Sequence, residues 1–149
     1  VIQDSQQALM SYQTGDLDIT LVNGEQVDQV KDDPEFTTIG AGYLWYVSPN
    51  MDAVPELANL NIRLAMTFAL DREAITQDVL KDGSTPVYTA VAEGRWARLY
   101  DAEKIVMDEA VIFPLYAQCN AEMVSSNVSG IEFHPVALNR VYKNAVKAE

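Results

Sequence analysis

The sequence predicts an α/β domain in which a mixed sheet is packed by helices. Three observations carry that reading. Leu17, Ile19 and Leu21 alternate with polar neighbours, the period of a half-buried strand. Ile62, Ala65, Met66 and Ala69 recur at the three-and-four spacing of a helix with one buried face. Strand-like and helix-like stretches also follow one another along the chain instead of separating into blocks. At 149 residues and 48% hydrophobic side chains the chain is the size of one domain and can bury a core.

The elements follow in order. Asp4 or Ser5 is placed to cap a first helix, with Gln7 in the capping-box position after Asp4, Leu9 and Tyr12 on one face and Gly15 as its left-handed stop. The alternating strand comes next, and Asn23-Gly24 marks a turn after it. A short helix carrying Val27 and Val30 runs until Asp32-Asp33-Pro34, because the residue before proline avoids helical dihedrals. Two strands, Phe36 to Ile39 and Tyr43 to Val47, flank Gly40-Ala41-Gly42. Pro49, Asn50 and Pro55 then make an irregular link.

From Asn59 or Asn61 the pattern is helical, and Asp71 restarts it as the cap of a second helix through Ile75 and Val79, which Gly83 ends before Pro86. A further helix spans about Trp96 to Ala110. An apolar strand, Val111 to Gln118, follows and is expected at an edge or bent at Pro114, which has no N–H for a ladder. Val124 and Val128 bracket a turn, and the tail from His134 has no clear pattern.

Composition excludes several functions. A formal net charge of −12 works against binding nucleic acid or anionic membranes. The single cysteine, Cys119, permits no intramolecular disulfide and no cysteine-cluster zinc site, and it reads as a small buried hydrophobe. His134 is alone and precedes Pro135, which suits a turn better than a metal ligand. No apolar run approaches the roughly 18 residues of a membrane span. The chain opens at Val1 without a basic, then apolar, leader, so a targeting segment is expected to be absent or already removed.

The order of landmarks carries a resemblance. Tyr12-Gln13-Thr14-Gly15-Asp16-Leu17-Asp18-Ile19 is similar to the tyrosine, glycine, acidic, leucine, aspartate passage of the family 5 solute-binding proteins, which bind oligopeptides, dipeptides and nickel chelates. At the right distance, Asn61-Ile62-Arg63-Leu64-Ala65-Met66-Thr67-Phe68-Ala69-Leu70-Asp71-Arg72-Glu73-Ala74-Ile75 resembles the family signature almost position by position. Ala102 to Ala110, Ile112-Phe113-Pro114-Leu115-Tyr116 and Val128-Ser129-Gly130 resemble its C-terminal helix, strand and turn. The resemblance implies one lobe of a type II periplasmic-binding-protein-like fold. It further implies an extracytoplasmic protein, periplasmic or a cell-surface lipoprotein, that delivers a short peptide or other small solute to the permease of an ABC importer. No cofactor is implied.

Two departures shape the expectation. The family's first lobe is absent, and only about twenty residues separate Leu80 from Asp101 where the family places well over a hundred, including an aspartate-containing passage that receives a peptide's amino terminus. The chain is therefore expected to be a single lobe, 1–149, built from two family segments, about 1–90 and 95–149, joined by an excision near Thr89 to Arg95. Half a cleft leaves ligand groups unpaired, so little affinity is expected.

The candidate ligand-binding residues are Trp45, Tyr46, Asn50 and Arg63. Tyr43, Trp45 and Tyr46 occupy one strand with alternating faces, so one belongs to the core and another is available to a cleft. Asn50 matches the family's asparagine near the hinge and suits a structural role there. Arg63 has the reach for a ligand carboxylate, but an arginine in the first turn of such a helix is more often a structural partner for a nearby acid. Two further functions stand beside solute binding. One is a small α/β enzyme using paired carboxylates, Asp16 with Asp18 or Asp101 with Glu103, although no nucleophile, phosphate loop or metal spacing accompanies them. The other is a docking module for a permease or receptor, marked by an exposed apolar patch.

Overall fold

The computed structural model of the chain describes residues 2–90, 97–134 and 140–148, and of 97–100 the backbone only. Helix α1 (Ser5–Gln13) starts where expected, with Asp4 accepting from the Gln7 amide at 2.7 Å, and stops before Gly15 at φ 82°. Strand β1 (Ile19–Val22) follows. Asn23-Gly24 is not a turn but the start of α2 (Gly24–Val30): Asn23 accepts from the Gln26 amide and Gln26 Oε1 from the Asn23 amide, both at 3.1 Å, a complete capping box.

The two strands expected around Gly40-Ala41-Gly42 are one, β2 (Phe36–Val47), with an irregular register between Gly40 and Leu44. The glycines bend the strand without ending it, because Gly42 takes φ 72°. A 3₁₀ turn, Pro55–Ala58, leads into α3 (Leu60–Ala69), capped by Asn59. Asp71 caps the next helix as expected, accepting from Ala74 N at 2.9 Å. That helix, α4 (Arg72–Ala74), continues as a π-helical turn, Ile75–Leu80, closed by Lys81 N donating to Thr76 O at 2.9 Å. Strand β3 (Thr85–Pro86), α5 (Ala97–Asp108) and β4 (Phe113–Val124) follow. The chain ends in two short ribbons: β5 (Val128–Ser129) with β8 (Val146–Lys147), and β6 (Glu132–Phe133) with β7 (Arg140–Val141). The expected join near Thr89 to Arg95 falls mostly on 91–96, outside the described residues, as do Trp96 and the stretch 135–139.

The α/β class is as expected, with every pairing among the described residues antiparallel rather than mixed. Strand β4 is not at an edge. It carries β2 along one side, while β1 and β3 share the other. Pro114 is accommodated beside a bulge: Trp45 faces Tyr116 but Tyr46 faces Pro114, leaving Leu115 as the extra residue.

Leu9, Tyr12, Val22, Val27, Val30, Ala121 and Met123 form the core, with Leu17 and Phe36 against it, so α1 and α2 cover one face of the sheet at one end. The apolar stripe of α3 is a correction to the expected buried face. Ile62, Ala65, Met66 and Ala69 are exposed, as is neighbouring Phe68 at 84%, and the α3 residue that turns inward is Arg63. A period of 3.6 identifies an apolar stripe without naming what covers it.

Two interactions tie this end together and give measurable consequences. Tyr12 OH donates to Glu35 Oε2 at 2.6 Å, and Ser126 N donates to Glu35 Oε1. Burial first, then the Glu35 carboxylate, raises the Tyr12 phenol above its usual value, while the Tyr12 and Ser126 donors lower Glu35. The raised tyrosine contributes stability below its unfolded value near 10 that is lost as pH rises. The lowered carboxylate contributes stability above its unfolded value that is lost as pH falls through the folded one. Urea midpoints measured against pH should fall at both extremes, and Tyr12→Phe should flatten both limbs while costing about 1 kcal/mol at neutral pH. At Gly24, a Cβ would sit inside contact distance of the Val79 and Leu80 carbonyl oxygens. Gly24→Ala should therefore lower stability by about 1–3 kcal/mol by calorimetry, despite alanine's better helix propensity.

Candidate functional site

Period-two alternation on β4 puts Ala121 and Met123 in the core and turns Tyr116, Gln118, Asn120 and Glu122 to the opposite face. Trp45 joins them from β2. Its ring stacks on Tyr116 with centroids 6.2 Å apart, and its Nε1 donates to Gln118 Oε1 at 2.7 Å. Gln118 Nε2 donates in turn to Asn120 Oδ1 at 3.4 Å. The result is an aromatic platform continued by two amides, with Trp45 51% exposed. At the far end Glu122 is 1% exposed and held by Arg140, through Nε at 3.0 Å and through Nη2. The Glu122 side chain holds Arg140 protonated above its already high range. The platform offers stacking area and the amides offer donors and acceptors, which suit a polar chain laid along the sheet.

The sequence candidates fall in different places. Tyr46 is exposed one residue beyond Trp45, across the bulge, and Tyr43 is exposed as well, so none of these three aromatics belongs to the core, contrary to the expectation that one does. Asn50 is exposed and accepts from Ala53 N at 2.9 Å, while its carbonyl accepts from Val54 N at 3.1 Å, so it shapes the turn after β2. It also lines an open hollow of about 430 Å³ with Ser48, Pro49, Met51 and Asp52. Arg63 is set apart from the stripe at 5% exposure. Its Nη1 donates to Leu57 O and Ala58 O at 2.7 and 3.0 Å, and its Nε and Nη2 to Glu109 O at 3.2 and 2.7 Å. Nε also reaches Ala110 O at 3.2 Å. The partners are backbone carbonyls rather than the acid expected.

The second signature arginine, Arg72, does similar work. At 4% exposure it donates from Nε to Pro114 O at 2.7 Å and from Nη1 to Thr67 O and Leu70 O at 3.1 and 3.3 Å. Its guanidinium lies 5.0 Å from the Tyr88 ring, and Tyr88 OH donates to Glu73.

The strand expected to end at Gln118 runs on to Val124, so Asn120 and Glu122 were not among the expected site residues, nor was Arg140, which reaches Glu122 from β7. The signal was there, since the alternation of Tyr116, Gln118, Asn120 and Glu122 with Ala117, Cys119, Ala121 and Met123 runs on unbroken. The acid pairs have separate engagements. Asp16 accepts from Thr14 Oγ1 at 3.1 Å and Asp18 from Lys147 at 2.7 Å, while Asp101 and Glu103, two apart on α5, do not face each other. His134 lies 3.7 Å from Glu132, and burial raises the Cys119 thiol, with Asp82 adding to it. Among the described residues no group of three or more His, Cys, Asp or Glu is placed to hold a metal, and no helix is long and apolar enough to cross a membrane.

Residues 1–110 match the family described as bacterial extracellular solute-binding proteins, family 5 Middle. The chain belongs to that family, whose members bind solutes and do not catalyse. It is 29% identical over 94 residues to the dipeptide-binding protein DppE of Bacillus subtilis (strain 168), a match covering 63% of this chain and 17% of that protein. Listeria monocytogenes OppA bound to peptide superposes with a TM-score of 0.85 at 16% identity, covering 100% of this chain and 57% of the other. The pheromone receptor PrgZ, solved with its mode of peptide binding, gives 0.83 at 14%, with the same coverages. These likenesses define a type II periplasmic-binding fold. The chain spans less than two thirds of the length of these relatives.

Arg63→Lys should not rescue Arg63→Met, because one ammonium cannot serve carbonyls on both sides of a planar fork. Each should lower stability by about 3 kcal/mol or more as buried carbonyls lose their donors, read as a shift of the urea midpoint.

Proposed function

We propose that this chain is one lobe of the solute-receiving component of an ABC importer for short peptides, acting outside the cytoplasm by binding and not by catalysis. The half-exposed stripe of Trp45, Tyr116, Gln118 and Asn120 carries the reading. Trp45 lines the cleft side, Tyr46 is exposed at the adjacent position across the bulge, Asn50 shapes the approach, and Arg63 acts from beneath as a structural residue. Family membership and relatives that bind peptides support it, while nickel chelates and other small solutes are the competing ligands. Residues 1–90 and 95–149 are two segments of one lobe, joined where the longer parent carries further sequence. The uncovered stripe of α3 faces that missing polypeptide; an exposed apolar patch would equally serve a docking module for the permease.

A two-lobed binding protein closes on its ligand so that the ligand's polar groups are all paired. One lobe pairs about half of them, and each buried group left alone costs about 1–3 kcal/mol. Calorimetric titration of this chain with tri- to pentapeptides should give no binding tighter than about 1 mM, and a low-micromolar dissociation constant would refute the half-site. In a longer parent that binds peptide, Trp45→Ala should weaken binding about tenfold through loss of the platform; an unchanged constant would place the ligand elsewhere. Reading the parent gene across Thr89 to Arg95 should reveal more than a hundred intervening codons, and contiguous codons would remove the excision.

A further inference from the structure

We infer that Arg72 is a positioning residue for the Trp45–Tyr116 platform, an inference whose bearing on ligand binding rests on the function proposed above. The link is the bulge. Trp45 and Tyr46 are adjacent on β2, yet their partners on β4, Tyr116 and Pro114, are separated by the extra residue Leu115. Side chains on a strand alternate, so one inserted residue changes which face every later side chain meets. The bulge lets Pro114 be buried while Tyr116 turns to the open face beneath Trp45.

A bulge frees backbone groups from the ladder, and those groups need other partners. Arg72 Nε takes the Pro114 carbonyl at 2.7 Å, and Val87 N takes the Leu115 carbonyl at 3.1 Å. Pro114 brings no N–H of its own to this stretch. Arg72 is itself fixed on three further sides, by the Thr67 and Leu70 carbonyls and by the Tyr88 ring. The guanidinium thus measures the distance from the end of α3 to the bulge and sets the register in which Tyr116 meets Trp45. A lysine supplies one compact donor group in place of that fork and cannot hold both ends.

The test is spectroscopic and needs no ligand. In a Trp96→Phe background, emission and the near-ultraviolet circular dichroism band report Trp45 alone. Arg72→Met and Arg72→Lys, studied well below their unfolding transitions, should lose the Trp45 band, shift emission to the red and raise acrylamide quenching. Arg63→Lys, equally buried but bonded away from β4, should lose stability while keeping the Trp45 signature. If Arg72→Met does not fold, Tyr88→Leu, which removes the ring against the guanidinium, should give a weaker change in the same direction. An unaltered Trp45 signature in folded Arg72 variants, or an equal change in Arg63→Lys, would overturn the assignment. Failure of peptide binding in the parent leaves these signals untouched and counts only against the proposed function.

Discussion

Three strands of the sheet take their hydrogen bonds from one strand, β4. It is paired along one edge by β2 and along the other by β1 near Ala121–Val124 and β3 near Tyr116–Ala117. Between those two partners the Cys119 amide is taken up by the Ser84 hydroxyl at 3.0 Å. A central strand cannot leave such groups unpaired at low cost, so the first, middle and last parts of the chain must all be in place for any to be stable. The pairing of β1 with β4 joins ends far apart in sequence, and closing so long a loop before reward favours slow folding.

The two halves of β4 are supported differently. Beneath Ala121 and Met123 lies an ordinary apolar core with α1 and α2. At Pro114 the support is the buried Arg72 guanidinium on the Pro114 carbonyl, and a second buried guanidinium, Arg63, sits on carbonyls that precede the strand. Arg63 meets Glu109 O and Ala110 O at the end of α5, and Arg72 meets Thr67 O and Leu70 O at the end of α3. A helix's last carbonyls lack intrahelical donors and carry the negative end of its dipole, so a cation there satisfies hydrogen bonds and charge together. This explains how Arg63 and Arg72, nine positions apart across the break at Asp71, stay buried without a carboxylate.

What could be read in advance divides along the same line. Caps were legible because one side chain and one nearby amide decide them: Asp4, Asp71 and the stop at Gly15 stand where sequence placed them. Asn23 misled because the same asparagine chemistry serves turns and caps. The β2 break at Gly40-Ala41-Gly42 misled because glycine signals irregular backbone without saying whether pairing resumes beyond it. The centrality of β4 was hidden by Pro114, whose missing N–H argues for an edge unless a bulge accommodates it. In the stripe, Trp45 was visible as an exposed-strand aromatic and Gln118, Asn120 and Glu122 through their alternation, whereas Arg140 depends on contact with a distant segment and has no local mark.

The sheet therefore has unequal faces, and in the proposed function that inequality connects architecture to binding. One face is closed at one end by helices drawn from the first thirty residues. The other carries aromatic rings, amides and, at its end, a carboxylate neutralised by Arg140. Polar side chains on a buried face would need partners from a packed neighbour, whereas on a face meant for a solute they stay hydrated until it arrives. Their mutual bonds, Trp45 to Gln118 and Gln118 to Asn120, hold the side chains in place meanwhile. Such a surface spends little ordering entropy on binding, but it can desolvate a solute only from one side. Under the proposed function, affinity depends on whatever closes over it, with the stripe supplying orientation and an opposing lobe supplying most of the grip.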